Sequence, residues 1–434
     1  MFALSSSKID VLVVGGGPAG ATAARFLALN GARVRLLDRS VFPRNKPCGG
    51  GISARVLKRF PYLVSYLDRI GTHYLSRLRL EGPDGDSTIV ESDEPAALMI
   101  RRVEFDALLL SLAVDAGVEV ISGADVVQAA AHDNRVSLVA RDGRTFSAPV
   151  VIAADGVHSV VARRLGLNPG WPAASVALDM MEETPRAQLR DVDPSTLWVA
   201  YGFNPDAPSA IRDGTRAHEG YAYIFPKRDH VNIGVGYVLS HYRAAVDRAP
   251  YELQQELVGR LRRRGIVEGS SVRQNFTPFI IPVGGPLRRP GRGRVLLAGD
   301  AGGFVNGVTA EGIYYAMVTG ELAGRAVAER SAGVGAVGAA TGIADAYKRA
   351  CDHEIGTELR DSVLIQRYLF ADRRRISRIV AGAPQERVVT RLILDLATGR
   401  RPYKNVRRRI LVRMPAVAAR FVWERWRQRR YDYR

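Results

Sequence analysis

Residues 9–40 read IDVLVVGGGPAGATAARFLALNGARVRLLDRS. Residues 9–14 form an apolar run suited to a strand buried on both faces. Residues 19–29 are alanine-rich and helical, Asn30-Gly31 stops the helix, and residues 32–37 begin a second strand. This is a βαβ unit. Its turn, Gly15-Gly16-Gly17-Pro18-Ala19-Gly20, fits GxGxxG. Gly15 permits the tight turn, Gly17 lets a pyrophosphate reach the backbone amides, and Gly20 lets helix and strand pack closely. The helix N-terminus faces the phosphates. Asp38 ends the second strand, where a carboxylate can hold ribose hydroxyls. With strand, helix, second strand and terminal acid all present, the segment predicts a dinucleotide site. Gly333-Val334-Gly335-Ala336-Val337-Gly338 also fits the pattern, but no strand precedes it, and it reads as a flexible connector.

Three later stretches have the same αβ character. Residues 105–116 read as an amphipathic helix followed by the strand VEVISG. PVVIAAD (149–155) and RVLLAGD (294–300) read as buried strands ending in acids. The last leads into glycines and a helical stretch from about residue 312 to 329. All these strands are expected in one sheet. Residues 72–100 and 173–280 change texture to period-two alternation, as in GYAYIFP and HVNIGVGYV, which predicts an antiparallel sheet. The expected organisation is an α/β, Rossmann-type domain from residues 1–71, 101–172 and 281–331. A β-sheet domain from 72–100 and 173–280 is inserted into it. A helical, basic C-terminal region covers 332–434.

The chain has 434 residues, 47% hydrophobic and 24% charged, with 43 glycines, as expected of a globular protein with a real core. Two cysteines, Cys48 and Cys351, exclude a disulfide framework and suit a reducing, cytoplasmic setting. The start reads as a buried strand rather than a signal peptide. No apolar run reaches the ~18–20 residues of a membrane-spanning helix. The formal charge is +18, and residues 401–434 hold twelve Lys/Arg against Glu424 and Asp432. Read as a helix, residues 413–429 gather Met414, Val417, Phe421 and Val422 on one side. That fits a segment lying on an anionic membrane surface, or a packed terminal helix with a solvated face. Nucleic acid is not an expected partner, because no motif of an RNA-binding fold is present.

Further motifs carry the chemistry. Gly299-Asp300 ends a strand where a carboxylate can accept from sugar-alcohol hydroxyls. The helix near Gly312 can aim its positive end at a carbonyl-rich ring. With the first motif, these read as a flavin site. Asp155-Gly156 can bond backbone amides or a nucleotide, or simply turn the chain. In RRVEFD, Arg102 can reach a flavin or phosphate, and Asp106 can cap or form a salt bridge. Tyr221, Tyr223 and Phe225 alternate on one strand and line either a pocket or a sheet core. Lys46-Pro47-Cys48-Gly49-Gly50-Gly51 follows the second strand, where Cβ-free residues can admit a flat ring or let the loop move. Seven scattered histidines show no metal spacing, and no GxSxG elbow is present. Arg262–Arg264 and Arg373–Arg375 read as solvated helix faces.

GGGPAG with Asp38, RxxFD at Arg102–Asp106, Asp155-Gly156, Gly299-Asp300, KPCGGGIS and YAYIFP followed by Gly234-Val235-Gly236 together resemble the geranylgeranyl reductase family. These are FAD-dependent oxidoreductases within the para-hydroxybenzoate hydroxylase-like flavoproteins. The resemblance runs from residue 9 to 329. Tyr223 stands where the family pattern has Trp, Gly307 where it has Pro, and Ala310 where it has Gly. The resemblance implies FAD, held by Gly15, Gly17, Ala19, Gly20, Asp38, Arg39, Cys48, Gly49, Gly50, Arg102, Asp155, Gly299, Asp300, Gly312 and Ile313. It implies a pocket walled by Tyr221, Tyr223, Phe225 and Pro226, with Cys48 as a catalytic candidate. The implied reaction is hydride and proton transfer to isolated carbon–carbon double bonds of a polyprenyl group. NADPH or an acidic ferredoxin would be electron donor, and the protein would be cytoplasmic or peripheral on the inner face of a membrane. A flavin-dependent hydroxylase or halogenase on the same scaffold is the alternative.

Overall fold

A computed structural model describes residues 9–83, 85–203, 220–331, 342–370, 375–377 and 380. The GVGAVG stretch at 333–338 and the basic tail at 401–434, with its helix at 413–429, lie outside these residues.

Val11–Val14 is buried at every position and occupies the interior of a six-stranded sheet. The order across the sheet is Gly291–Arg292, Val295–Leu297, Val150–Ala153, Val11–Val14, Val34–Asp38 and Glu119–Ser122. Every pair is parallel except the two-residue edge strand. Val11 and Val13 pack among the helices on one face. Leu12 and Val14 pack against a three-stranded antiparallel sheet formed by Val126–Ala131, Val136–Ala140 and Thr145–Ala148 on the other. Burial on both faces explains the unbroken apolar strands. The small sheet was not read from the sequence, where its strands are short. The first strand lies between Val34–Asp38 and Val150–Ala153, so the connections diverge there and leave a crevice at the strands' carboxyl ends.

Helix Pro18–Leu29 packs along helix Ile313–Ser331 at a contact only small residues permit. A Cβ on Gly320 would stand 2.2 Å from the Ala19 carbonyl oxygen, and one on Gly324 2.9 Å from Phe26. Among the described residues, no helix is long and apolar enough to cross a membrane.

The second large sheet has seven strands, in the order Phe276–Ile281, Ala177–Pro185, His230–Val238, Gly220–Pro226, Thr196–Phe203, Arg77–Glu81 and Ser87–Glu91. Helix Pro250–Arg263 buries Leu253, Leu257 and Leu261 against Met180, Ile224, Ile233 and Val235 on one face. The opposite face carries Tyr221, Tyr223 and Phe225. Strand Ala97–Met99 instead lies between Gly51–Ser53 and His73–Leu75 and pairs antiparallel with both. This small sheet fixes the glycine loop between the two larger ones. Further along the chain, helix Thr357–Leu369 leads to Phe370, whose ring lies 5.7 Å from that of Tyr201. Of the arginine run at 262–264, Arg264 is not simply solvated. It holds both oxygens of Glu81, at 2.6 and 2.8 Å.

Candidate active site

The glycine turn is shaped by backbone contact. Gly15 has φ +100°, and a Cβ there would stand 2.3 Å from the Ala154 carbonyl oxygen. A Cβ on Gly20 would stand 1.8 Å from the Gly15 carbonyl oxygen. Gly17 begins helix Pro18–Leu29 with no side-chain cap and no acid in the first turn. The first-turn amides, including those of Ala19 and Gly20, therefore face outward for an anion. Asp38 accepts from Gly16 N–H at 2.6 Å and Ser40 N–H at 2.7 Å, bracing the turn from the second strand. Arg39 is exposed. Arg44, which sequence reasoning missed, reaches within 3.8 Å of the Cβ position of Gly17.

The other strand ends converge on this turn. Gly299, at φ +61°, has Ala19 and Ala316 within 3.1 and 3.3 Å of its Cβ position. Asp300 Oδ1 stands 3.4 Å from the Cβ position of Gly312, beside the start of helix Ile313–Ser331, where Ile313 is buried. Asp155 Oδ2 accepts from Val160 and Val161 N–H at 2.8 and 3.2 Å, while its Oδ1 is buried without a partner. Burial raises its pKa. Uncapped helix amides, Cβ-free approaches and an orphaned carboxylate oxygen together fit a dinucleotide with ribose and phosphate groups.

The KPCGGGIS loop lies against the seven-stranded sheet. Gly50 N–H donates to Cys48 Sγ at 3.4 Å, and Asn232 Nδ2 donates to the Cys48 carbonyl at 3.0 Å. Cβ atoms on Gly49 and Gly50 would stand 2.8 Å from the Phe225 ring and 2.1 Å from the Ile100 carbonyl oxygen. The glycines thus serve close packing of the loop itself. Arg102 binds Asp106 through two hydrogen bonds, of 2.7 and 2.6 Å, and also contacts the Cys48 side chain. Burial opposes its charge, but Asp106 and Cys48 outweigh it and raise its pKa. Arg44 Nη1 joins Asp106 at 2.9 Å. Arg102 therefore braces the cysteine loop, and Asp106 is a salt-bridge partner.

The loop at 307–312 accounts for Gly307 but leaves Ala310 strained. Gly307 N–H donates to Ser362 Oγ at 2.8 Å, a bond proline could not make. A Cβ there would stand 3.0 Å from Val363 Cα. Ala310 sits at φ +55°, the left-handed region that favours glycine. Glu311 accepts from Ser53 N–H at 2.8 Å, tying this loop to the cysteine loop.

Tyr221, Tyr223 and Phe225 share one sheet face. Ring centroids are 5.8 Å apart for the tyrosines and 4.5 Å for Tyr223 and Phe225. Gly236 and Gly234 stand opposite Tyr221 and Tyr223 on the next strand, and Cβ atoms there would strike the rings. Tyr223 and Pro226 are buried, whereas Tyr221 and Phe225 are half-buried beside Cys48 and Gly49. Tyr223 O–H donates to Asp179 Oδ2 at 3.0 Å. Burial, then Asp179, raise both tyrosines well above their ordinary pKa. Asp179, like Asn232, escaped sequence reasoning. Its signal was an acid alternating with Met181 inside an otherwise buried strand.

Comparison with known proteins agrees with this geometry. Residues 8–352 match the model of an FAD binding domain. Digeranylgeranylglycerophospholipid reductase 1 of Methanothermobacter thermautotrophicus is 30% identical over 379 residues, 84% of this chain and 87% of that protein. The chain belongs to the geranylgeranyl reductase family. Another member-like relative, menaquinone reductase of Mycolicibacterium smegmatis, is 31% identical over 328 residues, 73% of this chain and 76% of its own length. Among solved structures, a geranylgeranyl bacteriochlorophyll reductase-like protein from Thermoplasma acidophilum aligns with TM-score 0.72 at 20% identity, covering 90% of this chain and 99% of that one. The flavin-dependent brominase Bmp2 aligns with TM-score 0.67 at 18% identity, covering 91% and 94%. The reductase family and the brominase thus share a fold. Among the described residues no His, Cys, Asp and Glu group is arranged to hold a metal.

Proposed function

We propose that this FAD-dependent oxidoreductase saturates carbon–carbon double bonds in a polyprenyl group carried by a lipid or other prenylated molecule. The observation carrying the reading is the aromatic wall Tyr221–Tyr223–Phe225 packed against Cys48 and Gly49 of the family's glycine loop. Relatives with named prenyl-lipid activity support it.

FAD would be held by the 15–20 turn, Asp38, Asp155, Gly299-Asp300 and the start of helix Ile313–Ser331, and bound there it supplies hydride. Aliphatic isoprene units gain from leaving water, at about 25 cal/mol per Å² of apolar surface. Tyr221 and Phe225 offer them flat, apolar faces. The loops at 48–51 and 307–312, tied by Glu311, exclude water and hold the chain in register, which is worth large rate factors. Cys48 stands at the pocket edge, fixed through its carbonyl by Asn232.

NADPH or an acidic ferredoxin supplies the electrons. Anaerobic rapid mixing separates them: NADPH that fails to bleach the flavin is not the direct donor. The 401–434 tail, rich in arginine, brings the enzyme to anionic membranes where prenyl lipids reside. Unchanged binding of a 401–434 deletion to anionic vesicles in flotation would refute that role. A hydroxylase or halogenase would need oxygen in turnover, so the reductase reading is tested by saturation without oxygen.

A further inference from the structure

Asp179 lies mid-strand in Ala177–Pro185, opposite Gly236 on one neighbour and Phe279 on the other, and is 2% exposed. Its Oδ2 accepts from the Tyr223 hydroxyl, and its Oδ1 has no hydrogen-bond partner. The titratable groups facing it are Tyr223 and Tyr221 from strand Gly220–Pro226, and those tyrosines in turn face Tyr201 on the next strand and the Cys48 thiol of the glycine loop. None is a cation. The cations of the loop and sheet are engaged by other acids: Lys227 and Arg101 by Glu183, and Arg102, which contacts Cys48, by Asp106. A carboxylate without countercharge in such surroundings favours its protonated form. Burial pushes Asp179 up to about 7, against the hydrogen bonds from the Tyr223 hydroxyl and the Met180 backbone N–H that lower it. The sequence makes room for the pair: a Cβ on Gly234 would stand 2.4 Å from the Tyr223 hydroxyl oxygen.

We propose that Asp179 and Tyr223 form a proton-holding pair in the pocket wall, and that Tyr223 delivers to the substrate the proton consumed in reduction. The proposal rests on the reductase reading. When Asp179 is protonated, its Oδ2–H donates to the Tyr223 oxygen, which frees the phenol proton to point into the pocket. One alkene carbon takes a hydride, with its electron pair, from reduced flavin. The other takes the proton of Tyr223 O–H. Asp179 returns a proton to the phenolate, and the carboxylate recovers one from solvent. The double bond is reduced, the flavin is oxidised, and the residues end as they began.

Infrared pH titration of the FAD-loaded full chain reads the pair without turnover. The expected result is a protonated-carboxyl band lost with a midpoint near neutrality. It is absent in Asp179→Asn and moved to higher pH in Tyr223→Phe. Anaerobic turnover of a geranylgeranyl lipid should fall about tenfold per pH unit above the midpoint in the wild type. Asp179→Asn should lose that limb and run at least about tenfold slower at pH 6. Flavin content of each variant shows that it has folded. A band unaffected by Asp179→Asn, or variants with the wild-type rate and pH profile, overturns the pair while leaving the reductase reading intact. A wild type that shows the band but saturates no prenyl chain overturns the reductase reading and proton delivery with it.

Discussion

The Cβ position of Gly49 lies 2.8 Å from two carbons of the Phe225 ring, so the cysteine loop and the aromatic wall are in direct register. Gly49→Ala must push the ring or the loop aside. Displacements of this size at a reacting centre cost on the order of 10²-fold in rate. The variant should keep its flavin, because it leaves the 15–20 turn unchanged, and lose turnover by about that factor. Flavin absorbance and turnover measured on the same sample check this. Wild-type turnover would show that loop and wall are not coupled.

Gly20→Ala addresses the opposite end of the site. Its new Cβ would fall 1.8 Å from the Gly15 carbonyl oxygen, which is backbone and cannot swing away. The turn must open, losing FAD and costing more than about 3 kcal/mol of stability. Purification of the variant with a full flavin complement would contradict this reading of the turn.

Ala310 carries a strained backbone, at φ +55°. Left-handed conformation costs an alanine roughly 1–2 kcal/mol, while glycine adds up to about 1 kcal/mol of unfolded-state entropy. Ala310→Gly should therefore stabilise the protein by up to about 1 kcal/mol, seen as a higher denaturation midpoint with unchanged slope. A lower midpoint would mean that the loop needs the alanine methyl.

Asp179 also sets a pH dependence of stability. Its ordinary value is 3.8 and its folded value about 7, so across that window the folded protein holds a proton that the unfolded chain has released. Wild-type stability should fall as pH rises from about 4 to about 7, by at most about 1.4 kcal/mol per unit, and then level off. Asp179→Asn should lack this contribution, so its advantage over the wild type grows through the window. Denaturant titrations at several pH values measure it, and a constant difference between the two proteins would refute it.

Much of the nucleotide end was legible because local backbone geometry dictates it. Gly15 and Gly20 tolerate no Cβ whatever the rest of the chain does, and Asp38 follows its strand at a fixed distance. The aromatic alternation at 221–225 likewise marked a sheet face. Sequence left open whether that face was core or pocket; in the structure Tyr223 is buried and Tyr221 and Phe225 are half-buried. The rest depends on partners distant in sequence. Asp179 meets Tyr223 across an intervening strand, Arg44 meets Asp106 across the whole 72–100 segment, and Gly307 meets Ser362 on helix Thr357–Leu369. No local pattern announces such pairs. Arg39, next to Asp38, is exposed, and Arg44, which no local pattern marks, also approaches the glycine turn.

The central claim is saturation of a prenyl chain, and mass spectrometry of lipid incubated anaerobically with the chemically reduced FAD enzyme tests it most directly. The account predicts that a geranylgeranyl lipid gains the mass of H2 for each double bond reduced, in step with flavin reoxidation. Lipid of unchanged mass over a flavin that stays reduced, or a product formed only with oxygen and carrying an oxygen or halogen atom, would contradict it.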